Sequence, residues 1–189
     1  YGYKRGQEVL DGFWEVVDQR GMDANPYRVG FLQLVGVADT DAEAERIYGP
    51  HADYFYNRCL HVYEGFADAP GCRTTETLRR GFKPQFGLAA AKARANLTFK
   101  DFVDQGYVIA GSPSTVREQL GEAMKRMRVG HLMVLCHFGN MPPEVTQRNT
   151  ELFAKEVMPY MKSMWGEFDD HWWPQPAAER ATPAALPSH

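Results

Sequence analysis

The sequence predicts an α/β fold in which parallel strands are packed between helices. Two segments, 27–38 and 131–139, are apolar at nearly every position and rich in Val and Leu. A strand with one face in water would alternate apolar and polar residues, so this pattern indicates strands that are buried on both faces, as in parallel sheets. Helical patterns lie before, between and after the two segments. This alternation is typical of right-handed parallel βα units.

Local signals predict where the first helices begin and end. Residues 6–21 contain an apolar set with the spacing of one helical face, namely Val9, Leu10, Phe13, Val16 and Val17. Gly21 can end this helix in the left-handed conformation. After the first strand, Thr40 and Glu43 have the spacing of a capping box, which predicts that a second helix begins there.

The clearest helix begins in the stretch "VIAGSPSTVREQL", residues 108–120, where a short apolar run stops at Gly-Ser-Pro-Ser. Ser112 suits the N-cap position and Pro113 suits the first helical position, where its missing N–H costs nothing. The buried stripe of this helix is expected to contain Val116, Leu120, Met124 and Met127. A last helix is predicted from about Pro143, and Pro159 should kink it or weaken its final turns.

Composition limits the class of protein. The 189 residues are 44% hydrophobic and 24% charged, which is ordinary for one soluble domain with a core. The net charge of −3 argues against a nucleic-acid partner. No apolar run is long enough to span a membrane, and the N-terminus lacks the pattern of a signal peptide, so we expect a cytoplasmic protein. Cys59, Cys72 and Cys136 lack zinc spacing, and we expect reduced thiols and no metal site.

Two visible strands make a poor sheet by themselves. Their outer edges would stay unpaired, and so small a sheet rarely stands alone. The chain also does not begin with Met. We therefore expect a fragment of a larger α/β fold with more strands upstream, and an isolated chain that is poorly soluble or a homo-oligomer.

The remaining segments are less regular. Residues from about 40 to 106 contain a crowd of aromatic side chains followed by a run, 79–100, with six basic and no acidic residues. We interpret this segment as an insertion between regular units. Residues 166–189 form a Pro/Ala-rich tail in which we expect disorder, with Trp172 and Trp173 as the residues that could dock.

Four segments carry a resemblance to a known family: "FLQLVGVADTDAEAE" (31–45), "VIAGSPSTVREQL" (108–120), "VGHLMVLCHFGNMP" (129–142) and "ELFAKEVMPYMK" (151–162). In order and spacing they resemble the C-terminal half of luciferase-like flavin-dependent monooxygenases, a (β/α)8 barrel family. The resemblance spans residues 1–165. It implies the C-terminal portion of a TIM-type barrel, with 27–38 and 131–137 as adjacent late strands that have helices on one side. The insertion at about 40–106 would be a mobile lid over the flavin.

The same resemblance implies an activity. Reduced FMN, supplied by a separate flavin reductase, would react with O2 and oxygenate a small organic substrate. Two alternatives stay open, namely an F420-dependent oxidoreductase on the same barrel and a shortened, non-catalytic flavin-binding or scaffold protein. The family's usual catalytic His and most of its flavin contacts lie upstream of Tyr1.

Candidate cofactor-binding residues lie at the start of the helix at 112. Function in (β/α)8 barrels gathers at the C-terminal ends of the strands, and a late helix N-terminus often holds a phosphate. Gly111, Ser112, Ser114 and Thr115 could therefore bind a cofactor phosphate through N–H groups and hydroxyls, aided by the helix dipole. The alternative is that Ser112 and Pro113 only start a helix.

Candidate catalytic and substrate residues follow the last strand. His137 is a candidate proton donor, because imidazole titrates near neutral pH, although a packing or hydrogen-bonding role is the alternative. Phe138 and Asn140 would lie at the same rim and contribute to a substrate pocket. The aromatic residues 54–56 could line an apolar pocket or pack the insertion against the rest of the protein.

Overall fold

Three parallel strands form one sheet in the computed structural model, which describes residues 2–59, 75 and 97–177. The strands are β1 (Gly30–Val37), β2 (Val108–Gly111) and β3 (His131–Leu135), and they lie in the order β2-β1-β3. β1 pairs in parallel with both neighbours. The prediction that the segments at 27–38 and 131–139 contain adjacent parallel strands is confirmed.

The described helices follow the predicted alternation. They are α1 (Tyr3–Gln19), α2 (Asp41–Asp53), α3 (Phe99–Asp104), α4 (Pro113–Met127), α5 (Pro143–Leu152) and α6 (Met158–Met161). Short π-helical segments, Tyr54–Cys59 and Phe153–Val157, continue α2 and join α5 to α6. The second of these segments comes directly before the turn that contains Pro159, where a kink was predicted. Of the predicted lid, residues 60–74 and 76–96 lie outside the described residues.

The third strand, β2, was not predicted. It has only four residues, and all of them are buried. So short an apolar run cannot be separated by its pattern from the approach to the helix that follows it. The segment is a strand because it pairs with β1, and its own sequence does not predict this pairing.

The two neighbours of β1 pair with different parts of it. β3 pairs with Gly30 to Leu34, and β2 pairs with Leu34 to Val37. Among the described residues, no strand pairs with 30–33 on the edge that β2 occupies farther along. Consecutive strands of a (β/α)8 barrel are neighbours in sequence order, so the order β2-β1-β3 differs from that of three consecutive barrel strands.

Helices cover both faces of the sheet near the carboxyl ends of the strands. On one face, Val35 and Ile109 belong to a core with Val116, Leu120 and other buried residues of α4. On the other face, Val108 belongs to a second core, which also contains Ala44, Tyr48, Ala52 and Phe102 from α2 and α3. The expectation of helices on one side only is thus corrected. The predicted burial of both faces holds for the carboxyl-terminal half of β1 and is wrong for β3, whose residues alternate between exposed and partly buried, because an apolar pattern does not say which elements cover it.

Part of the second face stays open. Toward the amino ends of β1 and β3, Leu32 is 50% exposed and Met133 is 52% exposed, and these residues are register partners. Leu135, at the end of β3, is 39% exposed. We call these three side chains the open apolar patch. It is a surface that a further part of the protein, or a second copy, could cover.

The first predicted helix is confirmed as α1, but its apolar residues do not share one environment. Leu10 packs against the core and Val17 is buried. The other three members of the predicted face are exposed, namely Val9, Phe13 and Val16. The spacing i, i+1, i+4 spreads these residues over a wide part of the α1 surface, and only part of that surface packs against α4.

The segment after α6 returns to the loop that joins α1 to β1. The N–H of Asp23 donates to the carbonyl of Gln175 at 2.8 Å, and the amide of Asn25 donates to the carbonyl of Asp169 at 2.9 Å. The sequence predicted disorder from residue 166, because its composition lacks a local reason to fold. Through residue 177 these hydrogen bonds connect the segment to the loop before β1, whereas Trp172 is 74% exposed, and the expected disorder stays a prediction. Residues 178–189 lie outside the described residues.

Candidate functional site

The carboxyl ends of the three strands meet at one edge of the sheet, which we call the carboxyl edge. The turns that follow the strands carry polar side chains, with Asp39 and Asp41 after β1, Ser112 after β2 and His137 after β3. In open α/β sheets, ligands bind outside this edge. The predicted site residues therefore lie where chemistry is expected in an α/β fold.

Ser112 is the N-cap of α4, as predicted. Its Oγ accepts the N–H of Thr115 at 3.4 Å and lies 3.0 Å from both Ser114 Oγ and Thr115 Oγ1. Pro113 occupies the first turn, as predicted. The three hydroxyls of the candidate phosphate site are thus brought together at the helix start.

A carboxylate of the chain itself also lies at this helix start. The N–H of Ser112 donates to Asp41 Oδ1 at 2.6 Å, and the hydroxyl of Thr115 donates to Asp41 Oδ2 at 3.1 Å. These hydrogen bonds, that of the Ser112 N–H first, hold the pKa of the Asp41 carboxyl below its usual range. Asp41 was not a predicted site residue, although it belongs to the segment "DTDAEAE".

Gly111 makes room for this arrangement. A Cβ at Gly111 would lie 2.6 Å from Asp41 Oδ1 and 2.9 Å from a methyl carbon of Thr115. The position directly in front of Gly111 is therefore occupied by Asp41 and Thr115. The residues do not fit a phosphate in this conformation, because the Ser112 N–H and the Thr115 hydroxyl already bind an anion and a phosphate would face its charge.

His137 lies exposed on the carboxyl edge. Its Nδ1 is 2.8 Å from the hydroxyl of Thr146 in the first turns of α5. This contact orients the imidazole ring and leaves its edge at the protein surface. The geometry is compatible with both roles considered for His137, proton donor and hydrogen-bonding residue.

The two candidate substrate residues have different surroundings. Phe138 is 2% exposed and packs against Tyr48 with ring centroids 6.1 Å apart, so among the described residues it belongs to a packed core. Asn140 is exposed, and its Oδ1 lies 2.8 Å from Nδ1 of His51. Between them, Gly139 has a φ of +64°, and a Cβ there would meet the carbonyl of His51. The turn thus needs glycine.

Asn149 of α5 is fully buried between the ends of β1 and β3. Its Nδ2 donates to the carbonyls of Val35 at 2.8 Å and Cys136 at 2.9 Å, and its Oδ1 accepts the N–H of Val37 at 2.7 Å. The ladder between β1 and β3 ends at Leu34 and Leu135. The Asn149 amide therefore takes the place of a strand partner where the two strands separate.

Further contacts tie the turn after β1 to its neighbours. The guanidinium of Arg148 pairs with the Asp39 carboxylate at the protein surface. The buried Tyr48 hydroxyl donates to the Val37 carbonyl at 2.6 Å, and burial raises the pKa of Tyr48 well above its usual range. The end of β1 is therefore held from α2 and from α5.

The aromatic residues at the end of α2 pack within the protein. Tyr56 stacks on Phe102 with ring centroids 4.7 Å apart, and its hydroxyl donates to the Tyr107 carbonyl at 3.1 Å. Phe55 lies edge-on to Tyr56. These contacts favour the packing interpretation for Phe55 and Tyr56 as far as the described residues extend, whereas Tyr54 is 36% exposed.

Some kinds of site are missing from the parts of the chain that the structure describes. Within 2–59 and 97–177, no cluster of three or more His, Cys, Asp or Glu side chains is arranged to hold a metal ion. None of the described helices is both long enough and apolar enough to cross a bilayer. Cys59 and Cys136 are free thiols.

Comparison with solved structures identifies a protein of similar fold. It is a type II Baeyer-Villiger monooxygenase, the oxygenating constituent of 3,6-diketocamphane monooxygenase from the CAM plasmid of Pseudomonas putida, in complex with FMN. The TM-score is 0.54 at 22% sequence identity, over 84% of this chain and 40% of that one. The likeness therefore concerns the fold, and the chain spans about 40% of that protein's length. No family model and no curated protein matches the sequence.

Reasoning from the sequence did not identify two residues of the carboxyl edge, Asp41 and Asn149. Asp41 follows the N-cap Thr40 and looks like an ordinary acidic residue in the first turn of a helix. Asn149 had a weak signal, because it is a polar residue on the side of α5 that also carries Val145 and Leu152. Neither pattern identifies the partner, which in each case lies far away in sequence.

Proposed function

We propose that this chain is the C-terminal part of a luciferase-like flavin-dependent monooxygenase that uses reduced FMN and O2 to oxygenate a small organic substrate. The observation that carries the proposal is the likeness in fold, over 84% of the chain, to an FMN-bound monooxygenase. The four sequence segments that resemble the family agree with the proposal. Reduced flavin, when bound, supplies the electrons for oxygen chemistry, and the protein orients it and excludes water.

In this proposal β1 and β3 are late strands of a (β/α)8 barrel. The edge of residues 30–33 that has no described partner would pair with an upstream strand. The open apolar patch of Leu32, Met133 and Leu135 would face the barrel interior. β2 would be a short strand at the rim, which accounts for the order β2-β1-β3.

Roles for individual residues follow from their positions. His137 and Asn140, both exposed on the carboxyl edge, are proposed to face the substrate, with His137 as a proton donor. Phe138 supports this turn from within the core. The phosphate role of Gly111, Ser112, Ser114 and Thr115 stays a prediction, and the carboxylate of Asp41 weighs against it.

The proposed partners follow from the activity. Reduced FMN would come from a separate flavin reductase, and the open apolar patch favours association with another polypeptide, either the upstream part of the barrel or a second copy. A cytoplasmic location and the absence of nucleic-acid partners remain expectations from the sequence.

The test uses the polypeptide translated from the complete gene. Fluorescence titration would measure binding of FMN and of F420, and oxygen uptake with a flavin reductase would then be measured with and without candidate ketones, aldehydes and sulfonates. We expect FMN binding and substrate-dependent product formation. Hydride transfer with F420 and no oxygen uptake would instead identify the F420-dependent alternative. Flavin binding without turnover of any substrate would favour the scaffold protein.

A further inference from the structure

The start of α4 holds an anion that belongs to the protein. Asp41 reaches it from the first turn of α2, 71 residues away from Ser112 in sequence. Its two carboxylate oxygens accept different donors, the N–H of Ser112 and the hydroxyl of Thr115. The helix has fifteen residues, and a carboxylate at the N-terminus of such a helix is stabilised by the helix dipole.

The hydroxyl groups of this turn lie within hydrogen-bond distance of one another. Ser112 Oγ caps the Thr115 N–H and lies within hydrogen-bond distance of Ser114 Oγ. Pro113 has no N–H to offer. A second anion would therefore compete with Asp41 for the Ser112 N–H and the Thr115 hydroxyl, and it would also be repelled by the charge of Asp41.

We propose that Asp41 is the built-in occupant of the anion position at the start of α4, that it latches the turn after β1 to the turn after β2, and that no cofactor phosphate binds there. The latch joins α2 and α4, which lie on opposite faces of the sheet. Only the statement about the cofactor rests on the proposed function. In the flavin enzyme, the FMN phosphate is then held by other parts of the protein.

The lowered pKa of the Asp41 carboxyl agrees with this assignment, since it means that the folded protein favours the charged form. Gly111 is part of the same device. A side chain at that position would displace the carboxylate, so the glycine serves the close approach of Asp41 rather than that of a ligand.

The test removes the carboxylate and asks whether an external anion takes its place. Asp41→Ala vacates the position, and Asp41→Asn removes the charge while keeping an oxygen for the Ser112 N–H. Glu118→Gln is the matched control, because it removes one exposed carboxylate from α4 at a site with no part in the latch. Each protein is titrated with inorganic phosphate at constant ionic strength, and the amide resonances of Ser112 and Thr115 are followed by NMR.

We expect no saturable shift of these two resonances in the unmutated chain or in Glu118→Gln. Asp41→Ala should bind phosphate at this position at least about tenfold more tightly, which corresponds to about 1.4 kcal/mol. Asp41→Asn should lie between them and provides the result if Asp41→Ala does not fold. Saturable binding to the unmutated chain with the affinity of the Asp41 variants would overturn the proposal, as would a failure of both variants to gain affinity.

A parallel FMN titration of the complete gene product separates this inference from the proposed function. If FMN binds equally well to the unmutated protein and to Asp41→Asn, its phosphate does not depend on this position, as proposed. Tighter FMN binding on removal of the carboxylate would mean that the phosphate reaches α4, and the statement about the cofactor would be wrong. If no FMN binds at all, the proposed function fails, and the phosphate titration still decides the role of Asp41.

Discussion

Replacing Asn149 should destabilise the protein more than any other single polar substitution at the carboxyl edge. The side chain is 0% exposed and makes three hydrogen bonds, all of them to backbone groups of the strand ends. In Asn149→Leu the volume is kept, but the Val37 N–H and the carbonyls of Val35 and Cys136 lose their partner.

The magnitude follows from these three groups. A hydrogen bond contributes about 1 kcal/mol net, and a buried group left without a partner costs about 1 to 3 kcal/mol. Because Asn149 alone serves all three contacts, we expect a loss of about 3 to 5 kcal/mol in the free energy of unfolding. That is a large share of the roughly 5 to 15 kcal/mol of a typical domain.

The assay is urea denaturation followed by circular dichroism, in which the midpoint should fall while the slope stays constant. Gln147→Ala is the matched control, because the exposed Gln147 side chain donates to Glu151 of the same helix and makes no contact with the strand ends. We expect the control to change stability by less than about 0.5 kcal/mol. A midpoint for Asn149→Leu within error of the control would refute the reasoning, because the strand ends would then not depend on the amide.

Three other predictions concern the same elements. Tyr48→Phe should lower the free energy of unfolding, measured by urea denaturation, by about 1 to 2 kcal/mol, because the Val37 carbonyl loses a buried donor. Tyr56→Phe removes a longer and less buried hydrogen bond and should lower it by less, so equal losses would contradict this reasoning. The double variant Leu32→Gln, Met133→Gln should shift the protein toward smaller oligomers in analytical sedimentation, since both side chains belong to the open apolar patch. An unchanged distribution of oligomeric states would mean that the patch is not an interface. Because the pKa of Asp41 is lowered, its carboxylate stabilises the fold above the usual pKa of 3.8, and this contribution disappears as the pH falls through the lowered value. The group is largely exposed, so we expect a contribution of about 1 kcal/mol or less to the free energy of unfolding, and Asp41→Asn should flatten stability curves measured between pH 5 and 2.

The elements with strong local signals were predictable. Thr40 and Ser112 are N-caps in the structure as in the sequence, because a hydroxyl that accepts an N–H three residues later needs no distant partner. The strands β1 and β3 were predictable for a similar reason. Segments with several consecutive Val and Leu residues are typical of parallel strands, although one face of β3 is exposed among the described residues.

The candidate site was predictable only in its position. A polar residue shortly after a strand lies at the carboxyl edge, so the position of Ser112 and His137 at this edge could be predicted, while their roles stay predictions. Their neighbours were not, because the sequence does not say which turns come together. Phe138 illustrates the limit, since its place in the chain suggests a rim residue and its contact with Tyr48 makes it part of a core.

By itself, the sequence determined an α/β chain with two apolar parallel strands, capped helices and polar turns after the strands, since each of these depends on residues within a few positions of one another. Tertiary structure alone decided the strand order β2-β1-β3, the existence of β2, and the contacts of Asp41 and Asn149. Hydrophobic patterns encode how much of a segment is buried and not against what, and a hydrogen bond between residues 71 positions apart exists only once the sheet has brought their turns together.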